Sequence, residues 1–475
     1  MIGFVIGRIL VTEAALLVLP LIVALLYGEA AYPFLIPMAL LVLIGLLLGV
    51  RRPARTALYA RDGLAIVALA WIAVSAFGAL PFVISGDIPF YVDAFFETVS
   101  GFTTTGASIL TEVESLSRGG LFWRSFTHWV GGMGVLVFVM AILPMSDGHG
   151  MHIMRAEVPG PTVGKLVSRM SDTAKILYGI YLALTLVEIA LLLAGGMPLF
   201  DACIHSFGSA GTGGFSCRNL SVGAYQNPYF DIVIGIFMLM FGVNFNLYYF
   251  LLIRRFRDVF HSEELRSYLL IVAAAVVAIT VDIAHLYDSV STSLCHAFFQ
   301  VSSIITTTGY ATTDFNAWPT FSKGILVVLM FIGACAGSTG GAIKCSRVLL
   351  LLKCIRREIR QVVHPRSVNV VKLDGRVVDE DSLRSVQLFF AAYLFIALGA
   401  TLLVSVDNFS FGTTFTAVVS CIGNVGPGLE LVGPMGNYSA FSGFSKLVLS
   451  LCMLIGRLEV LPVLVLFSRN AWKRS

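Results

Sequence analysis

The chain has 475 residues, is 57% hydrophobic and is only 13% charged, about half the charged share of an ordinary soluble domain. Its apolar residues come in long blocks, not at helical spacing around polar faces. This excludes a sizeable soluble domain and points to an all-α protein that crosses a membrane many times. The net charge of +4 is small and dispersed, which also argues against a nucleic-acid partner.

In chain order, the first apolar run covers 7–27. Arg8 and the sequence Gly28-Glu29-Ala30-Ala31 faintly resemble a signal peptide and its cleavage site. The run is too long for that and contains Glu13, so it reads as a retained first span. Further spans are expected at 34–50, 63–84, 122–144, 175–195, 229–253, 267–287, 323–352, 386–405 and 444–467, ten in all. Of these, 323–352 is interrupted in its middle by glycines.

Between the third and fourth spans lies 93–108, DAFFETVSGFTTTGAS. It is about half the length needed to cross a bilayer as a helix. A short helix followed by a Thr/Gly strand at membrane depth exists only where protein buries it or water lines it. The same pattern recurs three times. Asp93, Asp201, His296 and Thr413 each stand thirteen residues before Gly106, Gly214, Gly309 and Gly426. Six residues before each glycine is a small residue: Ser100, Gly208, Ser303 and Ser420. Four phased copies between spans imply four pseudo-symmetric helix–pore loop–helix repeats around a central pore. The expected division is two N-terminal helices at 1–55, then repeats at 56–150, 151–258, 259–360 and 361–475, the last with a cytoplasmic hairpin.

Most of the 32 Lys and Arg residues fall at the termini or in 51–61, 155–175, 254–266 and 353–384, opposite the pore loops. The positive-inside rule then places both termini and these loops in the cytoplasm.

A dehydrated monovalent cation is held by backbone carbonyls replacing its water. Glycine lets the backbone turn those carbonyls inward. The short helices aim their C-terminal dipole ends at the same axis. The four loops read TTTGA, GTGGF, TTTGY and GNVGP, and none contains an acid, so a divalent ion is disfavoured. The candidate K⁺ filter is Thr104, Thr105, Gly106; Thr212, Gly213, Gly214; Thr307, Thr308, Gly309; and Asn424, Val425, Gly426. Glycine at all four key positions supports K⁺ over Na⁺, since a serine would put a side chain into the narrowest ring.

The interruption at 333–341 reads as a flap that gates the pore, with close helix packing as the other reading. Its gating candidates are Gly337, Gly340, Gly341 and Lys344, together with Arg457 in the last span as an electrostatic barrier. Arg457 either projects into the cavity or bonds to Glu459 or a flap carbonyl; the two-residue spacing disfavours Glu459. Asn244 and Asn246 either line the second inner helix or bond between helices. Glu13 and Glu188 are expected to pair locally or reach the interface, and Gly131, Gly132 and Gly134 to pack helices. His128, His205 and His296 lack metal-ligand spacing and read as packing or capping residues. No nucleophile motif occurs, so an enzyme is disfavoured. The eight cysteines form no CxxC pair and read as buried apolar residues, with a Cys203–Cys217 disulfide as the lesser reading.

The chain resembles the Trk/Ktr/HKT superfamily of potassium transporters, most like its bacterial TrkH branch. The resemblance rests on the four loops, on Arg155-Ala-Glu-Val-Pro-Gly-Pro161, on 333–341, on Gly456-Arg457-Leu-Glu-Val-Leu-Pro462 and on the two extra N-terminal helices. It implies K⁺ uptake across the bacterial cytoplasmic membrane by a homodimer with one pore per protomer. It also implies gating by a cytosolic TrkA-type subunit that binds nucleotide or NAD. This chain has no strand–GxGxxG–helix motif, so no organic cofactor is expected on it. Residues 368–378 read independently as a hairpin around Asp374-Gly375, a candidate docking element for that partner. Coupled K⁺ symport with H⁺ or Na⁺ is the alternative.

Overall fold

The computed structural model describes residues 2–49, 60–134, 170–367, 369–460 and 463. The expectations for 51–59, for the loop containing Arg155–Pro161, for the second half of 122–144 and for both chain ends lie outside these residues.

Two N-terminal helical segments, Ile2–Leu16 with Val18–Leu26 and then Tyr32–Gly49, form an antiparallel pair. They approach closely because both carry glycine at the crossing. A side-chain carbon on Gly7 would stand 2.7 Å from the Gly45 carbonyl oxygen, and one on Gly45 would meet Val11 at 2.6 Å.

The remainder is one unit written four times. The outer helices are Ala60–Gly78 (continued by Leu80–Ser85), Met170–Ala194, Glu263–Ile283 and Glu380–Val404. Each leads to a pore helix: Tyr91–Phe102, Leu199–Gly211, Val290–Ile305 and Phe411–Gly423. Each pore helix is followed by a turn and an inner helix: Arg118–Gly132, Pro228–Phe241, Thr320–Ile332 and Gly443–Arg457. The outer helices carry open apolar faces, as at Phe395, Leu402 and Val281, each more than 70% exposed, where lipid would cover them. The pore helices are nearly encased, so their exposed-backbone problem is solved by protein.

Two of the inner helices differ from uninterrupted spans. Six described helices are long and apolar enough to cross a membrane, seven with one bent pair. The second and third inner helices have 14 and 13 residues before their breaks. At 1.5 Å per residue that is about 20 Å, two thirds of a hydrocarbon core. The expected continuations of the first and fourth lie outside the described residues. The third breaks at Gly333, as the glycines predict. The second also breaks, bending by 91° between Phe241 and Phe245, where an uninterrupted span was expected. Asn244 explains the break: its side chain accepts from the Asn246 amide (2.9 Å) and starts a new helix, Phe245–Leu252. The hairpin around Asp374-Gly375 forms as expected, with Lys372–Leu373 paired to Arg376–Val377.

The residue thirteen before each glycine ties its pore helix to a neighbouring segment, from the first turn at Asp93, Asp201 and Thr413 and from the second turn at His296. Asp93 pairs with Lys446 (2.6 Å), and Asp201 accepts from the Tyr225 hydroxyl (2.6 Å). His296 bonds Thr312 (3.1 Å) and Thr413 bonds Glu430 (2.9 Å). Hydrogen bonds from Ser410 and then Thr413 hold the Glu430 carboxyl below its usual range at this outer mouth.

Behind the first loop, Glu97 and Arg124 form a buried ion pair at 2.6 Å. Glu97 also accepts from Ser108 Oγ and the Ile109 amide, both at 2.9 Å, so the pair fixes the chain leaving the loop. Replacing Arg124 by Met is expected to destabilise the protein by about 3–5 kcal/mol, because the carboxylate stays buried without its partner. Replacing both residues (Glu97→Gln with Arg124→Met) is expected to recover part of the loss. Thermal unfolding in detergent checks both; equal melting points for the single variant and the parent would contradict the reading.

Candidate functional site

Each pore helix ends in the same cap. Numbering back from each glycine, the amide at −1 bonds the carbonyl at −6. These bonds are Thr105 to Ser100 (2.9 Å), Gly213 to Gly208 (2.8 Å), Thr308 to Ser303 (2.8 Å) and Val425 to Ser420 (2.9 Å). The amide at −2 bonds the carbonyl at −5, as from Thr104 to Gly101 and from Thr307 to Ile304, both at 3.1 Å. This is a Schellman cap. The small residue at −6 lends it only a carbonyl, and at Gly208 the limit on side-chain size is the Tyr310 hydroxyl, 2.0 Å from an added carbon. The cap demands a left-handed residue at −2. Thr104, Thr212, Thr307 and Asn424 fill it with φ of 55°, 55°, 59° and 54°. Asparagine tolerates this region; β-branched threonine is an outlier there, at a cost of about 1–3 kcal/mol.

The glycine then takes a positive φ in every loop: 78°, 76°, 86° and 100° at Gly106, Gly214, Gly309 and Gly426. Positions −3 and −1 keep negative φ. Such alternation lets successive carbonyls face one side of the chain, unlike the two-sided alternation of a strand.

The four loops meet in a closed cycle. A side-chain carbon on Gly106 would stand 1.9 Å from the Gly213 oxygen, and one on Gly214 would stand 2.0 Å from the Thr308 oxygen. From Gly309 the distance to the Val425 oxygen would be 2.3 Å, and from Gly426 to the Thr105 oxygen 2.6 Å. Each glycine therefore faces the residue before the next repeat's glycine, in the order one, two, three, four, one. The last two residues of each predicted filter segment meet the next segment around the cycle, and Asn424 also reaches Thr105.

The differences between loops have local causes. The Asn424 amide donates to Thr105 Oγ1 (2.9 Å) and to the Met453 carbonyl (3.0 Å), tying the fourth loop to the first and to its own inner helix. Phe215, after the second glycine, lies under the Arg124 guanidinium (3.5 Å) and against His128. Tyr310, after the third, donates to the carbonyls of His205 and Phe215 at 3.0 and 3.1 Å. The histidines thus pack or cap, as expected: His205 bonds the Asp201 carbonyl and Ser216.

Directly beneath lies 333–345. The Gly341 amide donates to Thr307 Oγ1 (2.7 Å), and the Ala342 amide to the Gly423 carbonyl (2.9 Å). A side-chain carbon on Gly341 would stand 2.4 Å from that same carbonyl. Gly337 packs against Asn244, whose neighbour Phe245 donates to the Gly337 carbonyl (3.0 Å). The second and third inner helices therefore satisfy each other's breaks, which is where the polar backbone at this depth finds its partners.

Lys344 donates to the Gly340 carbonyl. Arg457 donates to the carbonyls of Thr339 (2.8 Å), Gly131 (2.5 Å) and Gly132 (2.7 Å), joining the loop to the first inner helix. Glu459 instead takes Arg347, at 2.6 Å, in line with the spacing argument against an Arg457 pair. Gly131 packs, as expected, against the Phe102 carbonyl (1.9 Å from an added carbon), and its carbonyl also serves Arg457.

Two expectations fail. Glu13 and Glu188 do not reach the interface; both are buried, and among the described residues Glu13 has no hydrogen-bond partner. Glu264 was missed. Its Oε1 accepts from the amides of Ala336 (2.7 Å) and Ser346 (3.0 Å), one at each end of the loop.

The TrkH family model, described as "Cation transport protein", matches residues 33–474. The "Trk system potassium uptake protein TrkH" of Salmonella typhimurium is 39% identical, over 99% of this chain and 98% of the relative. The "Trk system potassium uptake protein TrkG" of Escherichia coli K12 is 35% identical, over 96% of this chain and 94% of the relative. The crystal structure of the potassium transporter TrkH from Vibrio parahaemolyticus superposes with a TM-score of 0.89 at 33% identity, covering 99% of both chains. The chain thus belongs to the TrkH family of cation transport proteins, a family of membrane potassium-uptake transporters and not of enzymes.

Proposed function

We propose that the chain conducts K⁺ into the cell through the four-loop ring, as a channel-like pore in the bacterial cytoplasmic membrane with both termini in the cytoplasm. The observation that carries this reading is the closed cycle of glycine-to-carbonyl approaches. A ring of neutral oxygens without a carboxylate suits a monovalent ion that must also leave. K⁺ is the cargo, and no organic cofactor is required on this chain. The repeat boundaries given above and a homodimer with one pore per protomer belong to the same proposal.

The loop 333–341, with Lys344 and Arg457, is proposed as the gate. It sits hydrogen-bonded under the filter and closes the second and third repeats across it. Arg457 places a positive charge at this level, an electrostatic barrier to cations while it holds Thr339. A cytosolic TrkA-type subunit that binds nucleotide or NAD would release it, docking on the hairpin and the basic loops.

Coupled symport is the second reading, favoured by the two acids buried at membrane depth, Glu13 and Glu188. Reversal potentials under imposed H⁺ and Na⁺ gradients separate the two; a potential that follows K⁺ alone excludes symport.

Gly309→Ser is expected to raise Na⁺ competition against ⁸⁶Rb⁺ uptake about tenfold, since 1.4 kcal/mol lost from one ring position suffices. Unchanged competition would contradict the filter assignment. Arg457→Ala is expected to raise partner-free ⁸⁶Rb⁺ flux in proteoliposomes about tenfold, because charged hydrogen bonds of roughly 1.5–3 kcal/mol each hold the closed loop. A folded variant with lower flux would contradict the barrier.

A further inference from the structure

Glu264 stands at the start of the third outer helix, Glu263–Ile283, and is 8% exposed. Through one carboxylate oxygen it holds both ends of the loop under the filter, the Ala336 and Ser346 amides. The adjacent residue, Glu263, faces the other way. Its amide donates to Asp374 Oδ1 at the hairpin tip (2.6 Å). Its carboxylate pairs with Lys353, which also donates to the hairpin carbonyl of Lys372 (2.6 Å). Lys353 lies on Cys345–Val363, the helix that leaves the loop.

We propose that Glu264 is the positioning residue of the loop 333–345 and that the hairpin at 372–377, seated on Glu263, is a lever connecting the cytoplasmic surface of the protein to it. The inference rests on the reading of this loop as the gate. Helix starts carry amides without intrahelical partners. Here Asp374 supplies one partner from a separate hairpin. A ligand that pulls the hairpin away removes that partner and the Lys353 tie together. The first turn of the helix, with Glu264 in it, is then free to shift, and both ends of the loop lose their common acceptor. The loop is then held from the pore side, by its bonds to Thr307, Gly423, Arg457 and the broken second inner helix. Asp374 is turned to the helix, so the hairpin offers a partner its exposed Lys372 and Arg376, and the device needs an acidic protein surface to draw it away. Glycine at 375, with φ of 76°, lets the tip present Asp374 toward the helix.

The test is hydrogen–deuterium exchange on the full chain in nanodiscs, alongside ⁸⁶Rb⁺ flux in proteoliposomes. Glu264→Ala is expected to speed exchange at the Ala336 and Ser346 amides about tenfold or more, as for loss of a buried charged acceptor. Glu264→Gln keeps a carbonyl oxygen and is expected to restore most of the protection. Asp374→Ala changes only the surface, so it is not confounded by misfolding; it is expected to act on the same two amides and to spare the pore-helix amides. Both alanine variants are expected to raise partner-free flux. Unchanged exchange at Ala336 and Ser346 in Asp374→Ala would overturn the lever, and unchanged exchange in Glu264→Ala would overturn the positioning role. Faster exchange with unchanged flux would instead remove the gate reading while leaving the mechanical connection in place.

Discussion

The structure depends on one constraint: four chain turns must approach so closely that no side chain fits between them. At each of four positions the neighbouring loop's carbonyl oxygen occupies the space of a Cβ, 1.9–2.6 Å away. Glycine is required there twice over, by that approach and by its positive φ. Much of the surrounding machinery holds this contact against its cost. The Schellman caps fix where each helix ends. The buried Glu97–Arg124 pair, the Tyr310 hydroxyl and the Asn424 amide fix where each loop goes next. Three threonines kept in the left-handed region store strain that this framework sustains.

The same economy explains the broken inner helices. Broken inner helices leave backbone groups at membrane depth, and these groups bond to one another across repeats. The second inner helix bends where the third is interrupted, and Asn244 serves both. Arg457 brings the fourth repeat to the third and first through the carbonyls of Thr339, Gly131 and Gly132. A segment held by many separate hydrogen bonds and few large side chains is suited to two arrangements, because each bond can be exchanged for water or another carbonyl.

The sequence made the repeat legible because the loop phase survives in four short, gap-free copies. The two-residue spacing also disfavoured an Arg457–Glu459 bond, and Glu459 pairs with Arg347. The second break was hidden because Gly242-Val243-Asn244 sits within an unbroken apolar run, and one asparagine does not outweigh that pattern. Glu264 was hidden for a different reason. Its partners are amides of residues more than seventy positions away, and a backbone donor leaves no mark in composition. The cyclic order of the loops is likewise a fact of packing, although the four glycines that permit it were plain.

The central claim is that the four glycine loops hold a dehydrated monovalent cation on their common axis. Anomalous X-ray diffraction from crystals soaked in Rb⁺ tests it most directly. The account predicts a peak on that axis at inner-sphere distance from the carbonyls of the filter segments ending at Gly106, Gly214, Gly309 and Gly426, displaced by K⁺ and not by equimolar Na⁺. A peak elsewhere, none at all, or one that Na⁺ displaces as readily as K⁺ would contradict it.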